Sequence, residues 1–241
     1  MRPTLSDLSV IVPVGPGDTS WEGLIPDLVS LPLDTEILFV SPEMQKRAPG
    51  LISKRLAPGR SVKWIQSEKG RAKQLNRGAQ VASKPYLWFL HADSRFARGT
   101  LAALERSLLR EPEAIHFFDL RFLKDGPDAT RLNAWGVWVR SHLLGMPFGD
   151  QGFCLAKSVF EKLGRFPESA LYGEDHLLIW QAKQMGVPLQ CTNAELSTSA
   201  RKYQEKGWGR TTLKHGLLTW KQALPEIVKW AQVRIQKGWR S

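Results

Sequence analysis

Three groups of residues in this sequence have the types and spacing that do chemistry. In "FLHADSR" (89–95) an apolar run ends abruptly in His91 and Asp93, two residues apart. A carboxylate just past a buried strand can hold a hard divalent cation that bridges a diphosphate, because such ions take one or two carboxylates and complete their shell with phosphate oxygens. His91 is a candidate second ligand, better suited to Mn²⁺ than to Mg²⁺. The plainer alternative is that His91 closes the strand and Asp93 starts a turn. In "GRAKQLNRG" (70–78) Arg71, Lys73 and Arg77 cluster at the start of a helical pattern. A helix N-terminus with bases attracts phosphate, although a solvated basic face reads the same way. In "YGEDHLLIW" (172–180) Glu174 and Asp175 open a helix after Gly173. They are either partners of the helix dipole or a general base that removes a hydroxyl proton.

These residues must be carried by regular elements, and the apolar patterning supplies them. "LSVIVPV" (8–14), "TEILFV" (35–40), "SVKWIQ" (61–66) and "PYLWFL" (85–90) are short apolar, β-branched runs. Such runs read as strands buried on both faces, the mark of a parallel sheet. A helix is expected over 70–82, where Ala72, Leu75, Ala79 and Ala82 share one packing face. The alternation predicts βαβ units and a mostly parallel central sheet flanked by helices. The second half reads as a strand over 114–124, a helix over 130–145, a short strand and helix over 152–166, and a helix over 174–186 that stops at glycine. In such sheets ligands bind beyond the carboxyl ends of the strands. "GPGD", "SPE" and "HADSR" follow three of those ends and define one expected crevice.

The 241 residues fit a single domain, 1–241, with functional parts at 1–97, 98–200 and 201–241. No apolar run reaches the roughly eighteen residues of a membrane span. No secretory leader is evident at the start, and Cys154 and Cys191 match no zinc spacing, so a cytoplasmic protein is expected. The net charge is +11, and residues 201–241 hold ten Lys and Arg against two acids. An anionic partner follows from that asymmetry. Leu213, Leu217, Trp220 and Leu224 form one stripe of a C-terminal helix, with Arg210, Lys214 and Lys221 beside it. That pattern suits a helix lying on an anionic membrane, with a lipid-linked acceptor as the consequence. It equally suits a helix packed on the domain with solvated lysines. No nucleic-acid-binding motif accompanies the charge, and nucleic acid is not an expected partner.

The ordered series "SVIVPV", "GRAKQLNRGAQVA", "LWFLHADSR", "GDQGFCLAKSVFEKLGRFPE" and "GEDHLLIWQAKQMG" resembles the family 2 glycosyltransferases of GT-A fold. It is especially similar to a bacterial subgroup sometimes called radical-SAM/selenodomain-associated transferases. The resemblance implies transfer of a sugar, with inversion, from a nucleotide-diphosphate donor, usually with Mn²⁺ or Mg²⁺. It implies Asp93 and His91 as metal ligands and Asp175, beside Glu174, as the base. It places Pro13, Arg71, Gln74 and Asn76 on the donor side, Asp150 and Gln151 near sugar and acceptor, and Arg201 of "SARKY" at the diphosphate.

Two departures bear on the nucleoside pocket. The family's Asn–Glu pair after the first strand is replaced by "GPGDTS", and its acidic stretch after the second by "SPEM". The alternative is therefore a catalytically inactive relative that binds a sugar nucleotide or an anionic membrane surface. A nucleotidyltransferase is disfavoured, because no extended Gly-rich loop follows the first strand.

Overall fold

The computed structural model describes residues 2–44, 55–56, 59–201, 203 and 207–238. Lys202, Lys206, Trp239 and Arg240 of the basic end lie outside the described residues, and Lys214 lies outside the described side chains.

The chain folds as a mixed α/β protein around an eight-stranded sheet of order β3-β2-β1-β4-β7-β6-β8-β5. Strands β1 (Leu8–Pro13), β2 (Glu36–Ser41), β3 (Val62–Gln66) and β4 (Tyr86–Phe89) form a parallel half. Strand β7 (Cys154–Ala156) runs antiparallel to β4 and to β6 (Ile115–Phe122). Strand β8 (Leu189–Thr198) is parallel to β6, and the two-residue β5 (Arg95–Phe96) is antiparallel to β8. β1, β2 and β4 are buried on both faces, as their continuous apolar runs require. β3 is not: it is the edge strand, and its residues are half-buried or exposed.

Successive strand residues feed opposite faces. Ile11, Leu38 and Phe89 join α2 (Arg71–Val81), α5 (Lys157–Lys162) and α6 (Glu174–Met185) in one core. Val10, Val12, Phe39 and Trp88 join α1 (Ile25–Val29) and α3 (Thr100–Arg110) in the other. Each fully buried side chain of this size contributes about 1.5–3 kcal/mol. The expected face of α2 is realised: Ala72, Leu75, Ala79 and Ala82 are all buried.

Helix α4 (Thr130–His142) lies over β6, and α7 (Trp208–Gly238) packs on α6. The α6–α7 contact is partly polar and partly apolar. His176 Nε2 accepts from the Trp180 indole, so its Nδ1–H donates to Gln222 Oε1 at 2.8 Å. Gln184 donates to Glu226, and Ala223 and Trp230 complete the contact. The Leu213, Leu217, Trp220 and Leu224 stripe is not part of it. All four face outward, with Leu217 64% and Trp220 62% exposed. Among the described residues no helix is long and apolar enough to cross a membrane.

Candidate active site

The order of the parallel strands reverses between β1 and β4, where a ligand crevice forms beyond the strand ends. A cavity of about 320 Å³ opens there, lined by Pro13, Asp18, Arg71, Gln74, His91 and Asp93 among others. Leu90 still donates to the Ile11 carbonyl, and the chain then turns, with Ser94 N–H closing on the His91 carbonyl. That turn places Asp93 in the cavity. Its carboxylate accepts from Thr198 Oγ1 at 3.1 Å and Ser199 N–H at 3.3 Å, the last residue of β8 and the one after it. Both donors are neutral and the bonds are long, so the carboxylate keeps capacity for a cationic partner.

A second cleft of about 460 Å³ is lined by Arg140, Phe148, Asp150, Asp175 and Tyr203, with walls from α4 (Leu132, Asn133, Gly136, Val137) and α7 (Thr212, Gly216, Thr219, Trp220). Arg71 and His91 line both spaces and stand at the boundary between them. Arg71 Nη2 contacts His91 Nε2. A guanidinium only donates, so that ring nitrogen is the acceptor and its lone pair is already engaged.

Asp175 is the second residue of α6, and Gly173 before it takes φ +66°, a left-handed turn that favours glycine. The carboxylate is 8% exposed. Its Oδ2 accepts from Gly149 N–H at 2.6 Å and lies 3.9 Å from Arg71 Nη2, and its Oδ1 accepts from His176 N–H at 2.9 Å. Burial alone would raise its pKa. The Arg71 charge, the two backbone N–H groups and the more distant Arg140 outweigh that and hold it below the ordinary carboxylate value. The approach of Gly149 requires the absence of a side chain: a Cβ there would sit 2.6 Å from Arg71 Nη2 and 2.9 Å from Asp175 Oδ2.

Glu174 lines neither space. Its Oε1 lies 3.2 Å from Arg71 Nε as an ion pair without hydrogen-bond alignment. Gln74 reaches the donor-side cavity, but its amide donates to the carbonyls of Val14 and Val40 and so ties the ends of β1 and β2 together. Asn76 is not brought to either space; it donates to Phe166 O and Glu168 and accepts from Phe166 N–H. Gln151 is wholly buried. It accepts from Ser141, Phe148 N–H and Arg140 and donates to Phe118 O, a bracket for the Gly149–Gln151 turn. Asp150, from the same turn, does line the second cleft. Arg201 lines neither space; its Nε donates to Ser199 Oγ and lies 3.9 Å from Asp125.

Two charged side chains at these spaces are absent from the sequence-based expectation. Arg140, on α4, lies 3.3 Å over the Phe148 ring. Burial lowers its pKa from the ordinary arginine value, opposed by Asp150 and Asp175. No periodicity marked it, because α4 buries only Thr130 and Ser141. Asp18, in the "GPGD" loop, is turned into the first cavity with its carboxylate accepting from Ser20 N–H and Oγ. An acid in a loop that follows β1 was the available signal.

Solved structures similar to this one include glycosyltransferases. The mannosyltransferase PcManGT from Pyrobaculum calidifontis, in complex with GDP-Man and Mn²⁺, superposes with a TM-score of 0.68 at 16% identity, covering 98% of this chain and 73% of that one. S. aureus TarS 1–349, in complex with UDP-GlcNAc, gives 0.59 at 16% identity, covering 80% of this chain and 58% of that one. At such identities the likeness establishes the GT-A fold. No curated protein sequence matches. The family profile "Glycosyl transferase family 2" matches residues 25–161, more than half of the 241, and the chain belongs to that family.

Proposed function

We propose that this chain transfers a sugar from a nucleoside-diphosphate donor to an acceptor hydroxyl with inversion at the anomeric carbon. The observation that carries this reading is the sharing of Arg71 and His91 by two spaces, one containing Asp93 and the other Asp175. The donor diphosphate lies in the first and the acceptor in the second. Asp175, ionised because Arg71 and two N–H groups hold its pKa down, takes the acceptor's hydroxyl proton. The acceptor oxygen bonds to the anomeric carbon as the bond to the phosphate oxygen breaks, and that electron pair leaves with the nucleoside diphosphate. Arg71 at the boundary stabilises the growing negative charge. Glu174 positions Arg71 through their ion pair.

The Asp93 carboxylate, with two long hydrogen bonds and an adjacent open cavity, fits a divalent cation. Such an ion, Mn²⁺ or Mg²⁺, would supply positive charge to the departing diphosphate; the similar mannosyltransferase was solved in complex with GDP-Man and Mn²⁺. His91 serves better as Arg71's acceptor than as a ligand here. Asp18 takes the nucleoside-side role that "SPEM" cannot, since Ser41 is buried and its Oγ accepts from Glu43 N–H.

The acceptor is lipid-linked in this proposal. Trp220 and Leu132 line the acceptor cleft and are exposed apolar side chains; Leu217 and Leu224 on α7, Trp135 on α4 and Leu143 just after it are exposed as well. Exposed Arg210, Lys221 and Lys229 accompany them. An apolar, tryptophan-bearing rim with bases fits an anionic membrane surface. Flotation with phosphatidylglycerol-containing vesicles should recover the protein, and Leu217→Glu should abolish recovery while leaving the melting temperature unchanged. No flotation of the wild type would contradict the membrane reading.

A thermal-shift screen of nucleotide sugars, with and without Mn²⁺, tests the donor assignment. Stabilisation by one nucleoside-diphosphate series, metal-dependent and lost in Asp93→Ala, is expected. A wild-type protein indifferent to every nucleotide sugar would overturn it.

A further inference from the structure

A third cluster of chemically able side chains lies away from both clefts. Asp119 on β6, His142 at the C-terminal end of α4 and Cys191 on β8 bring one carboxylate oxygen, one imidazole nitrogen and one sulfur within 4.8 Å of one another. All three are partly buried.

The backbone is arranged to make this meeting. Phe117 and Asp119 share one face of β6, and Phe117 is the partner of Cys191 in the β6–β8 ladder. The register then jumps, so that Asp119 pairs with Glu195. The extra residues of β8 bulge, with Asn193 at φ +56°, a left-handed conformation uncommon for a non-glycine residue. The bulge turns Asn193 N–H onto Cys191 Sγ at 3.4 Å. His142 is fixed from two sides: Trp138 stacks on it at 4.8 Å and Phe117 meets it edge-on at 6.1 Å. Its Nε2 lies 2.7 Å from Asp119 Oδ1.

We propose that Asp119, His142 and Cys191 form a site for one zinc-class divalent cation, which ties the end of α4 to the β6–β8 pair. Oxygen, nitrogen and sulfur in one set select Zn²⁺ or Co²⁺ over the hard Mg²⁺ and Mn²⁺, so this site differs in chemistry from the cation position at Asp93. A tetrahedral ion with bonds of about 2.0–2.3 Å spaces its ligand atoms roughly 3.3–3.7 Å apart. Asp119 and His142, 2.7 Å apart, would part by several tenths of an ångström. Cys191 binds as the thiolate, its proton going to solvent. His142 binds through Nε2, with its remaining proton on Nδ1. Water completes the four positions from the open side, where Asp119 borders a cavity of about 750 Å³.

The role of such an ion follows from how α4 is held. Only Thr130 and Ser141 of its thirteen residues are buried, and Leu132, Trp135 and Trp138 are exposed. Little apolar burial fastens this helix to the sheet, yet Asn133, Gly136, Val137 and Arg140 form a wall of the second cleft. An ion at His142 fixes that wall.

The test uses the full chain, stripped with chelator and titrated with Co²⁺ alone. The wild type should take up one equivalent with a sulfur-to-cobalt charge-transfer band in the near ultraviolet and tetrahedral visible bands. Zn²⁺ should displace it, and Mn²⁺ should not. The charge-transfer band should vanish in Cys191→Ser and the tetrahedral spectrum in His142→Gln, while Asp93→Ala retains both. Cys154 cannot substitute as the thiol, being wholly buried in the other core. If Cys191→Ser does not fold, His142→Gln carries the comparison. No band in the wild type, or a band that survives both substitutions, overturns the site. Neither result touches the donor assignment, which is read through nucleotide-sugar binding.

Discussion

Arg71 Nη2 stands 3.9 Å from Asp175 Oδ2 while the same nitrogen contacts His91 Nε2. One guanidinium therefore joins the first residue of α2 to the second residue of α6 and to the turn after β4. Its positive charge is the main influence that offsets burial and keeps the Asp175 carboxylate ionised.

Removing that charge should shift the pH dependence. Desolvation raises the Asp175 pKa, and Arg71 is the leading influence that lowers it. In the wild type the acid limb of kcat/KM should lie below the ordinary carboxylate range. In Arg71→Gln the carboxyl is protonated at higher pH, so the limb moves upward. An unmoved limb in this variant would mean that Asp175 is not the group being titrated.

Gly149→Ala separates stability from activity. The new Cβ would press on Arg71 Nη2 and Asp175 Oδ2, and the arginine tip can yield. A loss of about 1–3 kcal/mol of stability is expected from overpacking. Activity should fall by about 100-fold or more if Asp175 is the base, because the Gly149 N–H and the arginine that hold its carboxylate are both displaced. Equal activity in the two proteins would contradict the role given to this contact.

Asp18→Ala probes the nucleoside side. Loss of one charged hydrogen-bond acceptor costs about 1.5–3 kcal/mol, or roughly 10–100-fold in donor affinity. The donor KM should rise with kcat largely kept. A fall in kcat at constant KM would place Asp18 at the reacting centre instead.

His116 gives a pH-linked stability signal remote from the site. It is fully buried, bonded to Ser107 Oγ and the Glu111 carbonyl, and burial pulls its pKa down from 6.5 to about 4. The unfolded chain binds the proton more readily between those values. Stability is therefore intact above about pH 6.5 and declines as pH falls toward 4, by about 3 kcal/mol in all. Thermal melts across that window should steepen in the wild type relative to His116→Gln; parallel curves would contradict the assignment.

Much of this arrangement was readable in the chain itself. β1, β2 and β4 announced themselves because central parallel strands are apolar on both faces. Asp93, Arg71 and Asp175 stood out because polar residues interrupt or open those elements. β8 was hidden by its bulge and by polar residues such as Gln190, Asn193 and Glu195, and β5 is two residues long. α3 carries readable spacing in Ala103, Leu104 and Leu108, yet it holds no residue of the site. Asn76, Gln151 and Arg201 were placed by motif similarity, and each is instead bonded to neighbouring loop or backbone groups. Motif position fixes where a Cα goes; the side chain's partners depend on loops that local sequence does not specify. The outward stripe of α7 is a case in point. Periodicity locates the stripe, but the contacts of His176 with Gln222 and of Gln184 with Glu226, with Ala223 and Trp230 packed on the core, decide which face meets the domain.

The central claim is that Asp175 is the base of a sugar transfer from a nucleoside diphosphate. The most direct measurement compares donor turnover and donor binding in wild type and Asp175→Asn, using the nucleotide sugar that stabilises the wild type. The account predicts that the variant still binds the donor, with an equal thermal shift, while turnover falls by about 10²–10⁴-fold. Undiminished turnover in Asp175→Asn would contradict it.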